Sequence, residues 1–196
     1  MAKINPVLIP GRWREGYALD VHTVSSMYLG DDEYGHPIYD TKRSELGELL
    51  LRLKYRADFS GVDELVEAAA GFLRQWNREI DLILPVPPTR PRPQQPVLAL
   101  AQGIGTSLSI PVRPDCISKS KQIPELKDVH EFHRRSELLR GAHFIEQSVV
   151  ENRNVLLFDD LFRSGATLNA ITSTLYDQSR AANVYALTIT RTRIKS

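Results

Sequence analysis

The chain has 196 residues, enough for one substantial domain or one domain carrying a small accessory piece. Apolar residues make up 42%, which can fill a core, and 25 Lys plus Arg stand against 24 Asp plus Glu, so the overall field gives no reason to expect nucleic-acid or anionic-membrane binding. The single Cys116 excludes an internal disulfide framework and a cysteine-based zinc site, and is read as a buried structural thiol in a reduced, cytoplasmic compartment.

The opening "MAKINPVLIPGRW" has too short an apolar run for a signal peptide, and no later segment approaches the ~18 apolar residues of a membrane span. "GYALDVHTVSSMYLG" sets Tyr17, Leu19 and Val21 at period two, and "DDEYGHPIYD" has the turn chemistry to return the chain as a hairpin. "TKRSELGELLLRLKYRAD" then places Leu46, Leu49, Leu50 and Leu53 at helical spacing, with Thr41 or Ser44 as cap. Residues 1–60 are therefore expected to form a hairpin-helix extension beside a main body over 61–196.

From about residue 62 the pattern alternates. "VDELVEAAAGFLRQW" is an amphipathic helix, "DLILPVP" a short strand, "PVLALAQGIGTSL" a helix and "PVRPDCIS" a strand. "NVLLFDD" is a buried strand expected to end at Phe158, "SGATLNAITSTLYDQS" a helix starting at Ala166 or Thr167, and "NVYALTITRT" a final strand. Strands separated by helices predict an α/β fold with a mostly parallel, doubly wound sheet and helices on both faces. Ligands of such sheets lie beyond the carboxyl ends of the strands, where "DLILPVP" and "NVLLFDD" deliver their unusual residues.

The stretch "VLLFDDLFRSGAT" carries the chemistry. Adjacent Asp159 and Asp160 repel each other, so ending a buried strand on them gains nothing for the fold without something polar or cationic bound there. Beyond them, the free amides and dipole of a new helix suit a phosphate dianion; Gly165 permits close backbone approach, and Ser164 and Thr167 add hydroxyl donors. The carboxylates would repel that phosphate directly. They can accept hydrogen bonds from sugar hydroxyls nearby, or help hold a hydrated divalent metal. A polar turn that merely caps a helix accounts for Ser164 or Thr167, and leaves the two carboxylates unexplained. No Lys follows Gly165, which excludes a phosphate-loop NTPase, and the pair comes too late in the chain for a receiver domain.

Four apolar residues, an acidic pair, two apolar residues and a short Ser-Gly-x-Thr turn resemble the signature of the type I phosphoribosyltransferases, which bind phosphoribosyl pyrophosphate (PRPP). The resemblance implies that Asp159 and Asp160 hold the ribose hydroxyls, and Mg²⁺ indirectly, and that Arg163, Ser164, Gly165, Ala166 and Thr167 form the 5′-phosphate loop. Phe162 is bulkier than usual for the family. Arg163, where a small or hydroxyl residue is typical, either adds a charge beside the phosphate or points to solvent.

"LGELLLRLKYRAD", "LILPVPPTR" and "VLLFDDLFRSGAT" narrow the resemblance to the ComF-like, amidophosphoribosyltransferase-related branch, without its N-terminal four-cysteine zinc module. That branch implies a pyrophosphate loop at Pro87, Pro88, Thr89 and Arg90, although "RPRPQQ" matches the family's Arg-Gly-Phe-Asn-Gln only at Arg90 and Gln94. It also implies that the N-terminal extension serves as a hood. "SKSKQIPELKDVHEFHRR" has the position of a lid closing over PRPP, with Lys119, Lys121, Gln122, Arg134 and Arg135 as its candidate contacts. His130 and His133 lack a third ligand and are read as surface residues.

The implied function is Mg²⁺-dependent transfer of a phosphoribosyl group to or from a nitrogenous acceptor, with a homodimer as a family expectation. The alternative from another class is a non-catalytic PRPP or nucleotide binder, or a competence accessory protein that meets DNA-uptake partners or single-stranded DNA.

Overall fold

The computed structural model describes residues 2–88, 94–119 and 143–193. The main sheet is built from β1 (Val7–Leu8), β2 (Glu15–Val21), β5 (Leu82–Pro85), β8 (Asn154–Phe162) and β9 (Asn183–Arg191), in the order β1-β2-β9-β8-β5. β2, β9, β8 and β5 run parallel, and β1 pairs antiparallel with β2 at the edge.

Strand alternation assigns the side chains to two cores. Leu82, Leu84, Val155, Leu157, Val184 and Ala186 face α5 (Ala166–Asp177) through its Leu168, Ile171 and Leu175. Ile83, Leu156, Phe158, Tyr185, Leu187 and Ile189 face α1 (Glu45–Tyr55), α2 (Val62–Trp76) and α3 (Pro96–Leu108). Leu156, Leu157 and Phe158 are fully buried, each stabilising the strand by about 2 kcal/mol, which fixes the position of the carboxylates that follow. A four-residue helix, α4 (Gln147–Val150), leads into β8.

The structure redraws the N-terminal segment. Tyr17, Leu19 and Val21 do not form a hairpin arm: they belong to β2, a strand of the main sheet, with Leu19 buried toward the α1–α3 side and Ala18 toward the α5 side. Ala18 is too small to stand out in an alternating pattern, so the strand looked half-buried. The hairpin lies further on, between β3 (Thr23–Asp31) and β4 (Pro37–Arg43), a separate two-stranded sheet whose residues are mostly exposed. β1 and β2, which precede residue 60, thus belong to the main sheet.

Ser44 caps α1, accepting from Gly47 N at 3.0 Å while its hydroxyl donates to Val21 O at 2.5 Å. α2 and α3 span the expected residues, and Pro96 opens α3 where its missing donor costs nothing. "PVRPDCIS" contributes only its end to a strand, β6 (Ile117–Lys119), which pairs with β7 (His143–Ile145) apart from the main sheet; Val112 makes a single bridge to Ile83. Cys116 is buried, as expected of a structural thiol, and burial pushes the thiol pKa up. No helix among the described residues is long and apolar enough to cross a membrane.

Candidate functional site at the carboxyl end of the sheet

β8 does not stop at Phe158. It continues through the acidic pair to Phe162, with Asp159 opposite Thr188, Leu161 opposite Thr190 and Phe162 opposite Arg191 in β9. The apolar-to-charged change in sequence suggested an end, yet β9, nine residues long like β8, supplies backbone partners beyond it. Asp159 and Asp160 are therefore held by a strand, with neighbouring backbone on the β9 side.

The two carboxylates differ. Asp159 Oδ1 accepts from the Asp160 amide at 2.8 Å. Burial, and next the Asp160 carboxylate, push the Asp159 pKa up, with Lys54 and Lys119 acting the other way. Asp160 is 7% exposed and its Oδ2 meets Lys54 Nζ at 2.8 Å. Lys54 comes from the last turn of α1. That helix lies hard against the end of β2, where a Cβ on Gly47 would collide with the His22 carbonyl. His22 closes the same end of the sheet: its amide donates to Arg191 O at 2.7 Å and its Nδ1 lies 3.1 Å from Thr190 Oγ1. Burial, then Arg43 and Lys54, lower the His22 pKa.

After Phe162 the chain turns through exposed Arg163 and Ser164 to buried Gly165, at φ +73°, and α5 begins at Ala166 as expected. No side chain caps α5; Ala166 N has only a long 3.5 Å approach to Ser164 Oγ, and the first helical bond is Asn169 N to Gly165 O. The amides of the first turn are thus available to an anion. Asn169 braces this loop, donating from Nδ2 to Gly165 O at 2.9 Å and accepting from Arg12 N at 2.8 Å. Trp13 packs edge-on against Phe162, with ring centroids 6.2 Å apart.

β5 lies beside β8, and Val86 N donates to Phe158 O, which brings Pro87 and Pro88 to the same end of the sheet. Lys119 Nζ donates to Pro88 O at 2.8 Å; burial lowers its pKa, and the charge of Asp159 partly offsets this. Asp159, Asp160, Arg163, Ser164, Gly165, Ala166, Thr167, Pro87, Pro88 and Lys119 are thus placed around the carboxyl ends of β5 and β8. Thr89, Arg90, Lys121, Gln122, Arg134 and Arg135 lie outside the described residues, as do His130 and His133.

Sequence reading missed Lys54, Asn169 and Arg12. Lys54 had a signal: it sits one turn beyond Leu50 and two beyond Gly47, on the face of α1 that packs inward. Arg12 and Asn169 are 157 residues apart and gave none.

His143 stands opposite Lys119 in the β6–β7 pair, 4% exposed, with Nδ1 buried and unpartnered among the described residues. Burial, then Lys119, lower its pKa from 6.5 to about 4. Such a group stabilises the fold fully above its unfolded pKa of 6.5, and that contribution is lost as pH falls toward 4. Between pH 7 and pH 5 the loss is expected to be about 2 kcal/mol. Urea denaturation of wild type and His143→Leu at both pH values checks this: the variant should lose less stability on acidification.

No protein-family model and no curated protein matches the chain. Among solved structures, it resembles the glutamine PRPP amidotransferase from B. subtilis complexed with ADP and GMP, with TM-score 0.50 and 18% identity over 81% of this chain and 34% of that one. The chain therefore spans about a third of the amidotransferase's length. It also resembles adenine phosphoribosyltransferase from Saccharomyces cerevisiae, with TM-score 0.46 and 12% identity over 84% of each chain. Leishmania donovani UMP synthase follows, with TM-score 0.40 and 15% identity over 79% of this chain and 25% of that one. The likeness to the amidotransferase shows the fold: mixed α/β, of the type I phosphoribosyltransferase kind.

Proposed function

We propose that this chain binds PRPP together with Mg²⁺ at the carboxyl ends of β5 and β8 and transfers its phosphoribosyl group to, or from, a nitrogenous acceptor. One observation carries the reading: a buried strand delivers Asp159 and Asp160, and a tight loop with Gly165 at positive φ then opens a helix with no side-chain cap. Sugar hydroxyls suit the first half of that arrangement, and a phosphate dianion suits the second. The stretches "LGELLLRLKYRAD" and "LILPVPPTR" favour the ComF-like branch of the family.

In the forward direction a nitrogen lone pair attacks C1′ of the ribose, and the C1′–O bond breaks with its electron pair leaving on pyrophosphate. Positive charge builds on the ring as this happens. Asp159 and Asp160 orient the sugar and face that charge, while the α5 amides hold the 5′-phosphate still. Lys119, at the Pro88 carbonyl, stands on the side where the β5 loop would hold the leaving group.

The residues present fit Mg²⁺ as an ion carried by its substrate. Two carboxylates are at hand, each with one oxygen already hydrogen-bonded, and no cluster of three potential ligands occurs among the described residues. Asp159 and Asp160 would hold the ion through sugar hydroxyls or water. When bound, it supplies charge neutralisation on the departing pyrophosphate.

Calorimetric titration of PRPP with and without Mg²⁺, followed by pyrophosphate release against a panel of nucleobases, tests the reading. Mg²⁺-dependent binding with release is the expected result. A folded protein that binds no PRPP sinks the site; binding without release from any acceptor sinks the transferase.

A further inference from the structure

An ammonium group reaching into the acidic pair is unusual for a surface lysine. Lys54 is 18% exposed at its side chain and Asp160 10%, and the two meet at 2.8 Å. Burying such a pair costs both partners their hydration, and an apolar pair of similar volume would often stabilise the fold as well or better. Stability alone therefore gives little reason for a lysine here.

The backbone aims it. Leu46, Leu50 and Leu53 bury the inner face of α1, Ser44 ties its start to β2, and Gly47 allows the helix to touch the His22 carbonyl. From there α1 reaches Asp160 in β8, with β9 between β2 and β8 in the sheet. A side chain from residue 54 is thus delivered to one oxygen of a carboxylate far away in sequence.

We propose that Lys54 is a positioning residue of the ribose-phosphate site. The inference rests on the function proposed above. By taking Asp160 Oδ2, Lys54 fixes the carboxylate in one orientation and leaves Oδ1 to accept from a sugar hydroxyl. Its charge offsets the mutual repulsion of Asp159 and Asp160, and it reduces the repulsion between this pair and a ligand that brings several phosphate charges. The site thereby holds two carboxylates beside a polyanion with one fewer net negative charge.

The test is calorimetric titration of PRPP with Mg²⁺ into wild type, Lys54→Gln, Lys54→Arg and the control Tyr55→Ala, with melting temperatures for each. Tyr55 is the next residue along the helix and is 67% exposed. Gln can still donate to Asp160, so the carboxylate keeps a hydrogen bond, and the melting temperature reads the stability lost with the charge. Lys54→Gln is expected to bind about tenfold more weakly or worse, Lys54→Arg to recover to within about threefold of wild type, and Tyr55→Ala to bind as wild type does. Unchanged affinity in a folded Lys54→Gln protein overturns the inference. Equal losses of affinity in Gln and Arg that track equal drops in melting temperature assign Lys54 to packing, and overturn it too. A folded wild type that binds no PRPP overturns the ribose-phosphate reading and this inference with it, and that failure is visible in the wild-type titration alone.

Discussion

Asp159→Asn is expected to lose at least about 100-fold in PRPP affinity while folding at least as stably as wild type. The substitution keeps the local geometry, because an amide oxygen can accept from the Asp160 backbone N–H as Asp159 Oδ1 does at 2.8 Å. It removes a charge that the folded state opposes. Burial and the Asp160 carboxylate raise the Asp159 pKa above the usual 3.8, so the folded protein holds this proton more tightly than the unfolded chain. Stability from that preference is fully present below 3.8 and is lost as pH rises toward the raised value. An Asn suffers no such loss. The denaturation curves of the two proteins should coincide near pH 3 and separate at pH 8, the variant ahead by on the order of 1 kcal/mol. Asp160→Asn should behave in the opposite sense on stability. It deprives Lys54 of its carboxylate partner and is expected to cost about 3 kcal/mol. Affinity from calorimetry and stability from urea titration separate the effects. An Asp159→Asn protein that binds PRPP as wild type does would remove Asp159 from the sugar site.

The same contrast shows what was legible in the sequence. Two adjacent carboxylates after a buried strand announced a site, because their repulsion has no local remedy. That they are unequal was invisible, since it depends on how deeply the strand buries Asp159 and on Lys54, which α1 brings to Asp160 only because of how the N-terminal segment joins the sheet. α2 and α3 could be bounded from their apolar stripes and from Pro96, all local signals. β2 was misassigned because Ala18 hid its second buried face. The continuation of β8 to Phe162 depends on the length of β9, which no residue between 158 and 162 records. The start of α5 was expected at Ala166 or Thr167 and lies at Ala166, directly after Gly165, whose positive φ the loop itself demands.

That demand makes Gly165→Ala the second large effect. At φ +73° any L side chain is strained, by about 1 kcal/mol for Ala. The added Cβ would also lie 2.7 Å from Phe162 Cε2, 3.0 Å from Cζ and 3.2 Å from Asn169 Nδ2. Phe162 cannot easily yield: it is 6% exposed and its ring stands edge-on to Trp13, itself buried. Asn169 cannot easily yield either, because it holds Gly165 O with one end and the Arg12 amide with the other. The loop must therefore move, and the first amides of α5 move with it. The expected cost is about 3 kcal/mol in stability, with PRPP affinity reduced by at least about 30-fold. Adding Phe162→Leu separates the two causes. It relieves the ring contact and leaves the backbone strain, so it should return part of the stability with less of the affinity, since the amides still depend on the loop's φ. If Gly165→Ala folds with the predicted loss of stability and still binds PRPP at wild-type strength, then the displaced amides were not holding the 5′-phosphate, and the anion site must be sought among the basic residues instead.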